Sequence, residues 1–166
     1  MSVEIEVVLT AHTRWWLRLL NWLGADMTWT HALLRIDEHI IEAVAGGVIK
    51  RPWSTDGWER YARFKVKEGL LTERTAEIMA AFADGEVGKR YKYEALPLIL
   101  LKILQRITLG CWPFPYWVGT GEVCTSLVDS VFYYGGLDLV SWEAKPYVLP
   151  DDIAGSPLLV CQYQKT

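Results

Sequence analysis

Residues 28–48 read Thr28-Trp-Thr-His31-Ala-Leu-Leu-Arg-Ile36-Asp-Glu-His39-Ile-Ile-Glu42-Ala-Val44-Ala-Gly-Gly47-Val48. Two runs rich in β-branched and large apolar residues, 28–36 and 39–44, flank Asp37-Glu38, and both read as strands. A two-residue turn at Asp37-Glu38 pairs Ile36 with His39, Leu33 with Glu42 and His31 with Val44. Facing alternates along a strand and is shared by directly paired residues. Leu33 shares a face with His31, so Glu42 does as well, as a diagonal neighbour of the histidine. From there its carboxylate can orient the imidazole directly or through a water. Any even-numbered loop keeps this parity, and an odd loop or a bulge breaks it. Glu42 is flanked by Ile40, Ile41, Ala43 and Val44, and a carboxylate in so apolar a strand needs a partner, unless it points to water from a sheet edge.

The neighbouring segments extend a sheet. Residues 3–10 alternate, with Val3, Ile5 and Val7 on one face and Glu4 and Glu6 on the other. Gly46-Gly47 turns the chain, and residues 48–51 continue the sheet before Pro52. Residues 54–57 are a turn signal. Residues 58–66 alternate again, with Ala62, Phe64 and Val66 opposite Tyr61, Arg63 and Lys65. Between the first strands lies a short helix, 14–23, capped by Thr13 and ended by Gly24. Its tryptophans and leucines suit burial against the sheet; a lipid- or partner-facing helix is the other reading.

The second half is helical. Thr72 caps a helix running to about Ala83, with Glu73 in its first turn and Gly85 after its end. Residues 95–107 form another helix, in which Pro97 is tolerated in the first turn. An aromatic loop, 109–118, leads to Gly119-Thr-Gly121, and a helix follows with Cys124 in its first turn. Residues 146–157 are mostly loop, and 158–163 close the chain as a strand. Strands, then helices, then one last strand predict an α+β domain with an antiparallel sheet and segregated helices.

A cysteine in the first turn of a helix sits among unpaired N–H groups at the positive end of the dipole. That setting favours the thiolate, which is the nucleophile. Cys124 also lies on a helical stripe with Leu127, Val128, Val131 and Gly135, so an ordinary buried cysteine fits as well. His31 reads equally as a satisfied strand histidine. His12 and His39 fall at solvated positions beside a helix start and a turn. Cys111 and Cys161 have no local activating feature. A thiolate, an imidazole and a polar group fixing its tautomer are what a cysteine hydrolase uses.

The 166 residues are enough for one domain with a real core, and 51% are apolar, so the chain is not disordered. A net charge of −3 with no Lys/Arg cluster argues against nucleic acid as a partner. Three cysteines without a CxxC or Cys/His pairing suggest neither a disulfide framework nor a metal site, and no cofactor is implied. No signal peptide is visible at residues 1–10, which points to the cytoplasm. The longest apolar run, 95–101, is far short of the roughly 20 residues that span a bilayer. Nine tryptophans serve as core filler or mark a ligand groove.

Thr30-His31-Ala32, Ile41-Glu42-Ala43 and Gly46-Gly47-Val48, in this order, resemble the histidine-strand region of the permuted NlpC-type papain-like hydrolases. This is the YiiX/YebB-like group, related to lecithin–retinol acyltransferases, in which the histidine strand precedes the cysteine helix. Glu122-Val123-Cys124-Thr125-Ser126-Leu127-Val128 resembles the family's cysteine helix, with Ser126 at its usual acidic position. Pro150-Asp151-Asp152-Ile153-Ala154-Gly155-Ser156-Pro157 resembles the segment before its last strand. Gly88-Lys89-Arg90-Tyr91-Lys92-Tyr93 is similar to a tyrosine stretch before a helix, departing from it at Arg90.

The resemblance covers about residues 28–163 and implies a circularly permuted papain-like (NlpC-type) fold over a single domain, 1–166. It implies a Cys124 nucleophile, a His31 general base and acid, and a Glu42 orienting group, with Tyr91 and Tyr93 as oxyanion or substrate candidates. The expected reaction is peptidase or amidase chemistry on a small peptide of the peptidoglycan type, through an acyl-enzyme. A lipid or thioester acyl hydrolase or acyltransferase is the alternative, and a non-catalytic binding domain on the same fold is another. The geometry expected is a Cys124 sulfur within about 4 Å of a His31 ring nitrogen, with Glu42 on the ring's far side.

Overall fold

The structure is a computed structural model, and it describes residues 3–11, 21–22, 27–93, 101, 103–104, 123–140 and 148–165. The expected helices 14–23 and 95–107 lie almost wholly outside these residues. The loop 109–118, the glycine turn 119–121, His12 and Cys111 lie outside them entirely. Six strands, β1 (Ile5–Ala11), β2 (His31–Ile36), β3 (His39–Val44), β4 (Gly47–Pro52), β5 (Arg60–Val66) and β6 (Leu159–Lys165), form one sheet in the order β4-β3-β2-β1-β5-β6. Every pairing in it is antiparallel. Among the described residues, three bounded helices accompany it: α1 (Glu73–Glu86), α2 (Cys124–Tyr134) and the short α3 (Pro150–Ala154). This mixed architecture, with few helices beside an antiparallel sheet, is the α+β arrangement the element order predicts.

The hairpin β2–β3 turns at Asp37-Glu38 and pairs Ile36 with His39, Arg35 with Ile40 and Leu34 with Ile41, as the two-residue loop requires. Asp37 sits at φ 50°, which an aspartate tolerates better than most residues, and its side chain accepts the Glu4 N–H at 2.9 Å. The next turn is Ala45-Gly46, one residue earlier than the sequence reading, because Val44 pairs directly with Gly47.

The two sheet faces differ. One carries Val7, Leu9, Ala32, Leu34, Ile41 and Ala43 into the main core, where they meet Leu127, Val128 and Val131 of α2 and Met79 and Ala83 of α1. The other carries a small apolar cluster, Val8, Leu33 and Ile40, covered by Trp53, Trp58 and Tyr61. Beside that cluster Glu6 is fully buried and accepts hydrogen bonds from Arg35 at 2.9 Å and from Arg63 at 2.9 Å. Both guanidinium groups lie over the Trp53 ring, at 4.9 and 5.9 Å.

Thr72 caps α1 as expected, its hydroxyl accepting the Thr75 N–H. The helix does not stop at Ala83, however. It runs through Gly85 to Glu86 and ends at Val87-Gly88, where Gly88 takes φ 90°. Residues 150–154 also correct the expectation of a loop: Asp152 accepts the Leu149 N–H at 2.8 Å and supports a single helical turn with Pro150 at its start.

After α1 the chain runs along the free edge of β4. The Val48 N–H donates to the Lys89 carbonyl at 2.9 Å, and the Gly88 N–H donates to the Val48 carbonyl at 2.8 Å. Gly47 permits this approach. Its φ is 119°, and a β-carbon there would lie 2.5 Å from the Lys89 carbonyl oxygen. Gly47→Ala is therefore expected to cost about 1–3 kcal/mol and to detach residues 88–93 from the sheet. Urea unfolding measures the first, and amide exchange at Val48 the second; an unchanged midpoint and unchanged protection contradict this account of Gly47.

Candidate active site

His31 opens β2 and Cys124 opens α2, so both stand at one end of the sheet. Val123 precedes the helix without a capping side chain. Ser126 substitutes from inside the first turn, its hydroxyl accepting the Val123 N–H at 2.9 Å. The stripe Leu127, Val128 and Val131 is fully buried and holds α2 against β2 and β3, whereas Cys124 is half-buried.

His31 Nε2 and Glu42 Oε2 are 2.8 Å apart. The Cys124 thiol is near enough to the His31 ring for each to shift the other's pKa. With Nε2 committed to the carboxylate, Nδ1 is the nitrogen left for the sulfur. Of the three expected residues, His31 and Glu42 are joined by this contact, and Cys124 is the group beside the ring that shares in its pKa shift. Glu42 is 6% exposed, not turned to water from an edge. His39 is exposed at its turn, as expected. Cys161 is exposed on β6, its thiol 3.6 Å from the Tyr163 carbonyl oxygen.

Burial opposes each charge at this site, and the partners overcome it. For His31, burial favours the neutral ring, yet the bonds to Cys124 and Glu42 push its pKa up to about 10. For Cys124, burial favours the thiol, yet His31 and the backbone N–H groups of Ala32 and Thr125 bring its pKa below the ordinary value. Burial likewise raises Glu42, but His31 and Arg51 bring it below the usual carboxylate range. The arrangement therefore favours a thiolate–imidazolium pair backed by a carboxylate.

Arg51 is the site residue that the sequence reading missed. Its Nε donates to Glu42 Oε1 at 2.6 Å, and its guanidinium lies 5.8 Å from the centre of the Trp58 ring. The signal was available. The Ala45-Gly46 turn pairs Ile40 with Arg51 and Glu42 with Ile49, which makes Arg51 a diagonal neighbour of Glu42 by the parity argument that placed His31.

A cleft of about 430 Å³ opens onto His31 and Glu42 between Thr10, Trp58, Tyr91 and Tyr93. Tyr91 is half-buried. Burial, and then the charge of Cys124, push its phenol up to about 12, so it remains a hydrogen-bond donor. Tyr93 is mostly exposed and donates to the Ala45 carbonyl. A second cleft of about 570 Å³, lined by Glu4, Asp37, Glu38 and Lys65, contains none of these three groups. Among the described residues no group of three or more His, Cys, Asp or Glu is arranged to hold a metal ion, and no helix is long and apolar enough to cross a membrane.

No protein-family model and no curated protein matches the chain. Among solved structures the chain resembles the crystal structure of the metalloprotein YiiX from Escherichia coli. The TM-score is 0.64 over 96% of this chain and 96% of that one, at 14% identity. The likeness is one of fold, and it fits the YiiX-like group that the motifs resemble.

Stability should follow the charges at the site. His31 has a raised folded pKa, so its contribution is complete below the ordinary 6.5 and is lost as pH climbs through about 10. Cys124 has a lowered folded pKa, so its contribution is complete above the ordinary 9.0 and is lost as pH falls through its folded value. From the higher of 6.5 and the folded Cys124 value up to about pH 9 the two slopes oppose each other, and the pair's contribution is flat. Urea unfolding from pH 5 to 10.5 should show this plateau falling away on the alkaline side, and Cys124→Ser should remove the fall. A fall of equal size in the variant assigns it to other groups.

Proposed function

We propose that the protein is a cysteine hydrolase of permuted papain-like architecture, acting as a peptidase or amidase. The observation that carries this reading is the 2.8 Å contact between His31 and the Glu42 carboxylate at the mouth of a cleft, with Cys124 beside the ring. Cys124 thiolate attacks the substrate carbonyl carbon, forming a C–S bond and moving the π electrons onto oxygen. The Cys124 backbone N–H, which has no acceptor within the helix, is the first donor to that oxyanion. The Tyr91 hydroxyl is the candidate second donor. Collapse breaks the C–N bond, and the leaving amine takes its proton from the His31 imidazolium. His31 then takes a proton from water, whose oxygen attacks the thioester and releases the acid and the Cys124 thiolate. Glu42 holds the ring in the tautomer and orientation both steps need.

A small peptide of the peptidoglycan type is the first substrate class. The aromatic walls Trp58, Tyr91 and Tyr93 favour a second reading, an acyl ester or thioester with an apolar acyl group. The YiiX structure carries the description metalloprotein. Here Glu42 gives one oxygen to His31 and the other to Arg51, and a guanidinium 2.6 Å away disfavours a bound cation. These residues do not fit a metal.

Iodoacetamide labelling against pH tests the thiol. Cys124 should alkylate well below pH 8, and Cys124→Ala should remove that early labelling while leaving the exposed Cys161 to react at higher pH. Preferential labelling of another cysteine, or no labelling below pH 8, overturns the hydrolase in favour of a binding domain. Turnover of γ-D-glutamyl dipeptides against p-nitrophenyl acyl esters separates the two enzyme readings. On the preferred substrate His31→Ala should lower kcat by roughly 10²–10⁴. Tyr91→Phe should lower it by about 10²–10³, and an unchanged kcat removes Tyr91 from the oxyanion site.

A further inference from the structure

We propose that Arg51 is a positioning residue for His31, acting through Glu42. This rests on the hydrolase reading of the site and adds to it a residue on a third strand. The Glu42 carboxylate is bridged, with Oε2 2.8 Å from His31 Nε2 and Oε1 2.6 Å from Arg51 Nε. A carboxylate held by one contact can rotate about its last bond. Held at both oxygens, by groups on β2 and β4, it presents a fixed lone pair to the imidazole. The guanidinium is itself steadied by Trp58, a wall of the cleft.

Glu42 is buried, so an oxygen stripped of Arg51 is an unpaired anionic oxygen away from water. It relieves this by taking a proton or by swinging toward the cleft, and either weakens its grip on the ring. Arg51 also repels the imidazolium directly, but it lies beyond the carboxylate, and Cys124 and Glu42 are the charges that dominate at His31. The titratable and charged groups around the ring are Cys124 on α2, Glu42 on β3, Arg51 on β4 and Tyr91 on the segment after α1. Tyr61 on β5 lies in the same cross-strand row through Thr10.

The test is an NMR titration of the His31 ring in the full-length protein, assigned by His31→Gln, in Arg51→Met and Arg51→Lys. The His31 midpoint should fall by about one pH unit or more in Arg51→Met, and Arg51→Lys, which keeps the charge but not the planar fork, should recover part of the fall. A structural role lowers the melting temperature without moving the midpoint, so an unmoved or raised midpoint in a folded variant overturns the proposal. If Arg51→Met does not fold, Arg51→Lys carries the test by itself: a partial fall supports the proposal and an unmoved midpoint overturns it. Failure of the hydrolase reading is distinguishable, because it appears in the native protein as absent early alkylation of Cys124, whatever His31 does in the variants.

Discussion

A buried carboxylate must have both oxygens satisfied, and in this fold that constraint on Glu42 organises everything around the site. One oxygen goes to His31 and the other to Arg51. To supply the first, β2 and β3 must keep an even turn, which Asp37-Glu38 does. To supply the second, β4 must return in register beside β3, which the Ala45-Gly46 turn does. The same return places Gly47 where the Lys89 carbonyl closes on it, and that contact carries Tyr91 and Tyr93 over the cleft. Three strands and the segment after α1 are thus arranged by the needs of one anion.

Glu6 solves the same problem differently. It lies on the same sheet face, fully buried, and its hydrogen-bond partners are two arginines stacked on Trp53, with Lys65 Nζ a further 3.7 Å ion pair. Its hydrogen-bonding partners are guanidinium groups, which only donate, so that network is closed. In the Glu42 network one partner is a titratable imidazole at the edge of a cleft, and the imidazole has a second ring nitrogen to spend. The difference between the two clusters is therefore the residue type at one corner, histidine in place of a second arginine. Both clusters hold a buried charge; the Glu42 cluster can also pass a proton.

Much of this was legible because strands obey parity. One assumption, a two-residue turn at Asp37-Glu38, put His31 and Glu42 on one face, and alternation in residues 3–10 and 58–66 gave the two faces of β1 and β5. Arg51 was equally legible by parity, because a turn at Gly46-Gly47 sets it directly opposite Glu42 and the observed turn at Ala45-Gly46 sets it diagonal to Glu42 on the same face. Gly47 takes a positive φ for a reason a turn assignment does not contain, the approach of Lys89 from a distant segment. The end of α1 was misjudged because Gly85 reads as a stop, whereas Gly88 supplies the left-handed residue. Helix α3 was missed because its support is an Asp152 bond to the Leu149 backbone, in a segment too short for any periodicity. The partnership of Glu6 with Arg35 and Arg63 needed the β2-β1-β5 strand order, which alternation within single strands does not give.

The sequence posed packing and chemistry as rivals at Cys124, and the fold makes the two compatible. His31 lies on the carboxylate-bearing face of the sheet, while α2 packs on the opposite, apolar face. A helix residue and a strand residue on opposite faces meet only where the sheet ends, and both Cys124 and His31 are the first residues of their elements. How far α2 extends past that end is set by its buried stripe, because Leu127, Val128 and Val131 fix its height against β2 and β3. Cys124 continues the stripe by one turn, just beyond the last full layer of core, where the Ala32 N–H and the imidazole replace apolar neighbours. The stripe that makes Cys124 look like a core residue is thus also what fixes the height of the helix start that bears it.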